Sequence, residues 1–118
     1  MTTWTQDYPA LPGSAHAAAQ LAHALATEQS PRRASAAYRL VEHLFCCALA
    51  RSSPCSNLNL IIVVDNGKIH FELHYPNDYK TPFDAAMAYQ TVSALADAYG
   101  ETRTRRGRMI YAELWMAP

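Results

Sequence analysis

The fold turns on Asn57 to Pro76, NLNLIIVVDNGKIHFELHYP. Leu58, Leu60, Ile62 and Val64 alternate along the first half, Asp65-Asn66-Gly67 interrupts, and Ile69, Phe71, Leu73 and Tyr75 alternate along the second. Apolar side chains at a period of two mark a strand with one buried face. Asn-Gly between two such runs predicts a hairpin, with both turn residues expected at positive φ. Lys68, His70, Glu72 and His74 fall on the opposite, wetter face of the second strand. Ile61 and Val63 suggest that the first strand is covered on both sides.

Helices are expected on either side of this hairpin. Ser30-Pro31 offers a hydroxyl cap and a proline at the first helical position, where its missing N–H costs little. From there Ala34, Tyr38, Val41, Leu44, Phe45, Ala48 and Leu49 recur at helical spacing, and the helix should end near Ser52, ahead of Pro54. An earlier helix is expected from a Ser14 cap through about Thr27, with Ala18, Leu21, Ala22 and Leu25 on one face. Residues 1–13, broken by Pro9, Pro12 and Gly13, read as an extended arm that Trp4 and Tyr8 pack onto a surface. A third helix is expected from Phe83 to Tyr99, with Phe83, Met87, Thr91, Ala94, Leu95 and Ala98 inward and Gly100 as its stop. A second hairpin, turning at Arg106-Gly107, ends the chain. The expected order is α-α-β-β-α-β-β. It implies an α+β two-layer sandwich in which residues 14–118 form one domain and helices cover one face of the sheet.

Composition narrows the function classes. The chain has 118 residues, half of them hydrophobic, and a formal net charge of zero. Those values exclude an intrinsically disordered chain and an overall basic nucleic-acid binder. No apolar run approaches the roughly 20 residues that span a bilayer. The opening MTTWTQDYPALPG lacks the basic and apolar regions of a secretory signal. Three cysteines, two of them adjacent, make no disulfide framework, so a reducing cytoplasmic compartment is expected.

The stretch LVEHLFCCALARS, Leu40 to Ser52, raises the question of chemistry. His43 stands three and four residues from Cys46 and Cys47, a spacing at which two metal ligands can converge on one helix. A structural zinc needs four ligands, and the chain has no CxxC pair or HExxH motif. His70 and His74 share a strand face but lie about 13 Å apart at roughly 3.3 Å per residue. Thiol catalysis is no better supported, because the cysteines sit mid-helix, away from the N-terminal dipole that lowers a thiol pKa. Small buried thiols filling a crowded face are the simpler account. None of the four glycines forms a phosphate-binding motif. Arg103, Arg105, Arg106 and Arg108 make the only dense charge cluster, which could meet phosphate or an acidic protein but has the usual character of a solvated hairpin tip.

Taken together, LVEHLFCCALARS, LNLIIVVDNGKIHFELHYPN and TVSALADAYGETRTRRGRMIYAEL resemble the small bacterial anti-sigma-factor and serine-kinase-like ATP-binding proteins of the histidine-kinase-like ATPase (GHKL) superfamily. The likeness covers about Pro31 to Leu114 and implies a GHKL-like mixed sheet. Family members read roughly LVSELVTNAVRH in the second helix. Aligned on Leu40 and Ala48, the family's basic glutamate falls on His43 and its magnesium-binding asparagine on Cys47. Tyr75 stands where an aspartate before proline would hold adenine. Ala86-Met87-Ala88 stands where a glycine box would wrap the phosphates. A thiol is a poor ligand for magnesium, and alanine crowds a phosphate where glycine leaves room. The resemblance therefore implies a degenerate nucleotide site, with no cofactor, no metal and no catalytic residue.

The function so implied is a non-catalytic regulator that binds protein, with a sigma factor or another transcription regulator as partner and a homodimer as its own assembly. No direct contact with nucleic acid or membrane is expected. Trp4, Tyr8, Trp115 and the arginines 103, 105, 106 and 108 are the candidate contact residues, since interfaces favour aromatics and arginine. Two rivals stand beside it: a divergent ATP-binding serine kinase of the same fold, and a metal or small-ligand sensor built around His43, Cys46 and Cys47.

Overall fold

The computed structural model describes residues 1–79 and 86–116, with the side chain of Ala86 outside that set. Its elements run β1 (Thr2–Pro9), α1 (Pro12–Gln29), a 3-10 turn (Pro31–Arg33), α2 (Ala34–Leu49), β2 (Asn57–Asp65), β3 (Lys68–Tyr75), α3 (Ala86–Leu95), β4 (Ala98–Thr104) and β5 (Gly107–Trp115). The described residues form an α+β fold, with three α-helices and one five-stranded sheet in the order β1-β2-β3-β5-β4. Two expectations change here. Every described strand pair is antiparallel, so the described sheet is not mixed. The chain also begins with a strand, giving β-α-α-β-β-α-β-β.

That strand replaces the separate arm expected over residues 1–13. Thr2 pairs with Val64, and the ladder runs without interruption to Pro9 opposite Asn57. Threonine and tryptophan suit a pleated surface, and a proline at the end of an edge strand forfeits little. Tyr8 is only 8% exposed and meets Phe45 of α2 edge-on, with ring centroids 5.4 Å apart.

Neither expected hydroxyl cap forms. α1 starts earlier than Ser14, with Pro12 in its first turn, and Ser14 Oγ instead donates to Pro9 O at 2.7 Å, fastening the reversal from β1 into the helix. Ser30 makes no side-chain cap either; Pro31 opens the 3-10 turn, and α2 proper begins at Ala34. The buried faces follow the expected spacing, with Ala18, Ala22 and Leu25 on α1 and Leu40, Val41, Leu44, Phe45 and Ala48 on α2. Tyr38 is half-buried, and its hydroxyl pairs with His16 Nδ1 on α1. α2 stops at Leu49, and Ser52 Oγ donates back to Ala48 O at 2.7 Å.

The central hairpin has the expected strands and turn, Asp65 facing Lys68 across Asn66-Gly67. Only Gly67 has positive φ, at 81°. Asn66 keeps negative φ while its N–H donates to Asp65 Oδ1 at 2.8 Å, so the turn needs one special residue rather than two. The second hairpin turns one residue early, on Arg105-Arg106, with Thr104 opposite Gly107.

The largest departure is α3. It ends at Leu95, not Tyr99, because Ala98, Tyr99 and Gly100 pair with Glu113, Ala112 and Tyr111 in the sheet. Tertiary pairing overrides the local helical pattern there. Gly100 is no helix stop: a Cβ added to it would lie 2.7 Å from the Tyr111 ring, which covers it across the strand pair. The inward face carries Ala88, Val92 and Leu95; Met87 is 74% exposed and Ala94 is exposed too. Phe83 lies outside the described residues.

The core occupies one face of the sheet. Leu58, Leu60, Ile62, Ile69, Phe71, Leu73, Ile110, Ala112 and Leu114 point to it and form one cluster with α1 and α2. On the other face Ile61, Val63, His70, Glu72, His74 and Tyr111 are only half-buried, so the two-sided cover expected for β2 is not formed by the described residues. No helix among the described residues is long and apolar enough to cross a membrane.

Candidate functional site

Register brings a charged cluster to the core face where α2 ends. Tyr75 on β3 pairs with Arg108 on β5, and Glu101 on β4 sits opposite Ile110, so all three side chains point toward the end of α2. Arg51, two residues past that helix, completes the set. Its Nη1 donates to Glu101 Oε1 at 2.8 Å and to the Tyr75 hydroxyl at 3.5 Å. The Tyr75 hydroxyl itself donates to Glu101 Oε1 at 3.3 Å. Arg108 Nε lies 3.1 Å from the same oxygen, without the alignment of a hydrogen bond. One carboxylate thus serves two guanidiniums and a phenol.

Cys47 and Tyr75, where the resemblance places magnesium and adenine contacts, both belong to this wall. Each is 3% exposed. Burial pushes the Cys47 thiol up to about 11, with Arg51 working against the shift and Cys46 and Glu101 adding to it. A thiol raised this far is almost wholly protonated at neutral pH, unlike the activated thiolate of a nucleophilic cysteine. Burial likewise raises the Tyr75 phenol. Tyr89 of α3 adds a second phenol, edge-on to Tyr99 at 5.6 Å and raised by burial and then by Glu101.

The other sequence candidates scatter. His43 is half-buried and spends Nδ1–H on Arg39 O at 2.7 Å, one turn back. Cys55 is exposed, beyond the helix. No group of three or more His, Cys, Asp or Glu side chains among the described residues is placed to hold a metal ion. Ala88 packs inward while Met87 projects outward, and Ala86 contributes only its backbone to the description. Among the contact candidates, Trp4 and Trp115 are exposed, at 45% and 54%, as are Arg103, Arg105 and Arg106. Tyr8 and Arg108 are not free to meet a partner: one is core and the other is tied to Glu101.

A second polar constellation lies on the open face. Glu72 sits between two histidines, 2.9 Å from His70 Nε2 and 2.8 Å from His74 Nε2. Glu113 Oε2 lies 2.9 Å from His70 Nδ1 and 3.6 Å from Lys68 Nζ. Burial raises the carboxyls of Glu72 and Glu113, but bonds outweigh it: from His74 and His70 for Glu72, and from Trp115 and His70 for Glu113. Both end below their usual value. The separation that keeps His70 and His74 from chelating one ion is thus filled by the glutamate between them.

Sequence reading missed Arg51, Glu101 and Asp97. Asp97 links three elements, accepting from Arg33 Nη2 at 3.0 Å and from the Trp115 N–H at 2.7 Å, and its own N–H donates to Glu113 O. Asp97 stood inside an expected helix, so no strand-end role was visible. Alternation along β3 and β5 does place Tyr75 and Arg108 on the core phase, and their polar ends there were the available signal.

No protein-family model matches the chain, and no curated protein matches it by sequence.

Proposed function

We propose that this chain is a non-catalytic regulatory module of the GHKL-like kind, acting by binding protein, with a transcription regulator such as a sigma factor as its partner class. The reading rests on a single observation. The two positions that the resemblance gives to magnesium and adenine are a buried thiol and a buried phenol, walled in by Glu101 with Arg51 and Arg108. A nucleotide would have to break that ion pair and displace the Tyr75 ring, and it would then find a thiol, not a carboxylate or amide, where its metal must be held.

What remains is surface. β1 has an outer edge that pairs with no described strand, and Trp4 stands exposed on it beside Leu21 of α1. Its sole charged residue is Asp7, with Pro9 at its end, so little guards the edge against strand addition. This edge is the proposed protein-binding element, and pairing of two copies through it would give the homodimer.

Calorimetry with ATP and magnesium tests the reading. No magnesium-dependent binding tighter than about 1 mM is expected. A dissociation constant below about 1 μM that disappears on chelation would overturn it in favour of an ATP-binding kinase.

A further inference from the structure

A cleft of about 680 Å³ lies under the β4–β5 hairpin, bordered by Tyr75 and Pro76 at the end of β3. Asp7, Asn57, Asn59 and His74 line it from the ends of β1, β2 and β3, and Arg105 and Arg106 line it from the hairpin turn. Cross-strand register puts Asp7, Asn59 and His74 on the open face of the sheet.

Two features make this more than a solvated arginine tip. The hairpin is anchored. Gly107, at φ 155°, lies so close to the end of β3 that an added Cβ would come within 2.2 Å of Tyr75 O and 2.6 Å of the Pro76 carbonyl. Only glycine fits, and the contact holds the preceding arginines beside β3 instead of letting the tip swing free. The second feature is that these guanidiniums are unspent. Arg108 is committed to Glu101, whereas Arg105 and Arg106 are exposed and make no hydrogen bond or ion pair with any described residue. The lone carboxylate in the cleft, Asp7, is occupied by the Asn59 amide at 2.8 Å.

We propose that this cleft binds a small multivalent oxyanion, a polyphosphate or polycarboxylate, through Arg105 and Arg106, with Asn57 and His74 as further polar contacts. Guanidinium forks match phosphate and carboxylate oxygens in pairs, and two adjacent ones favour a ligand with more than one anionic group. The cleft has the size of an ordinary small-molecule site. Its anion contacts need no magnesium, and Tyr75, shared with the wall around Cys47, only borders it.

The test uses the full chain in EDTA. Pyrophosphate and citrate are titrated separately by calorimetry, and amide chemical shifts are followed by NMR with the anion that binds. At least one of the two should bind with one-to-one stoichiometry and weaken as salt rises. The heats thus distinguish a phosphate from a carboxylate ligand. Shifts should cluster at Asn57, Asn59, His74, Arg105 and Arg106. Arg105→Gln with Arg106→Gln should weaken binding at least about tenfold, while Arg39→Gln, an exposed arginine elsewhere, should leave it unchanged. The proposal is overturned if neither anion binds, if the double variant binds as the unaltered chain does, if Arg39→Gln weakens binding equally, or if the shifts gather between α2 and α3.

Discussion

The two faces of the sheet carry the same device in different materials. On the core face Glu101 gathers two arginines and a tyrosine; on the open face Glu72 gathers two histidines. One device closes the end of a packed core around a carboxylate that is largely buried, and the other is a hydrogen-bonded row on a half-buried surface. Burial sets the division: on β2, β3 and β5 the core phase holds Leu, Ile, Val, Phe and Ala, and only beside the end of α2 do Tyr75, Arg108 and Arg51 bring in the polar groups that Glu101 answers.

The contrast breaks most visibly at the core. Phe71→Ala, in the centre of β3 with its ring fully buried, should cost about 3 to 5 kcal/mol. Ile61→Ala, on the neighbouring strand but the open face, should cost only about 1 kcal/mol, because that side chain already meets water. Chemical denaturation of both variants measures the gap. Equal losses would mean that another element covers the open face.

Gly107→Ala probes the hairpin that spans both faces. The added methyl would collide with the backbone of Tyr75 and Pro76, which cannot rotate away as a side chain could. A loss of about 2 kcal/mol or more is expected, with β3–β5 pairing disturbed nearby in hydrogen exchange. Gly67→Ala should cost less: its φ of 81° is strained for alanine, but nothing lies within 4 Å of the added Cβ. A Gly107→Ala protein as stable as the parent would remove the anchor and the placement of Arg105 and Arg106 with it.

Glu101→Gln sharpens the core-face lock. It keeps the shape and leaves Arg51 and Arg108 without their counter-charge, so a loss of about 1 to 2 kcal/mol is expected in thermal melts. The same variant should not admit MgATP. The appearance of MgATP binding on this change would show that the lock alone excluded the nucleotide.

Much of this architecture is legible from apolar spacing. Leu58 to Tyr75 shows both strands and their turn, and the face of α2 follows from Leu40, Val41, Leu44, Phe45 and Ala48. Spacing fails where a partner strand decides the conformation. Thr2–Pro9 has no strong alternation, and it becomes a strand because β2 offers it an edge. Ala98-Tyr99-Gly100 continues a helical pattern, yet β5 claims it. The site was legible only as single letters. Tyr75 and Cys47 stood out as odd residues, but Glu101 and Arg51 are 50 residues apart and meet only once the register is fixed.

The smallest expected effect belongs to the open face and depends on pH. Glu72 in the folded chain sits below the ordinary glutamate value of 4.5, since the bonds from His74 and His70 outweigh the opposing effect of burial. A carboxyl depressed by folding adds stability that is complete above its unfolded value and disappears as pH falls through the folded one. Glu72→Gln should therefore lower stability slightly near pH 7, by no more than about 1 kcal/mol for a partly buried pair. The difference between parent and variant should shrink below about pH 4.5 as the parent's carboxyl takes up its proton and becomes the neutral group that glutamine imitates. Glu113 is depressed in the same direction and shares His70 with Glu72, so part of the difference read in the variant belongs to Glu113. A melting difference that is the same at about pH 7 and about pH 3 would mean that Glu72 acts there through shape and not through charge.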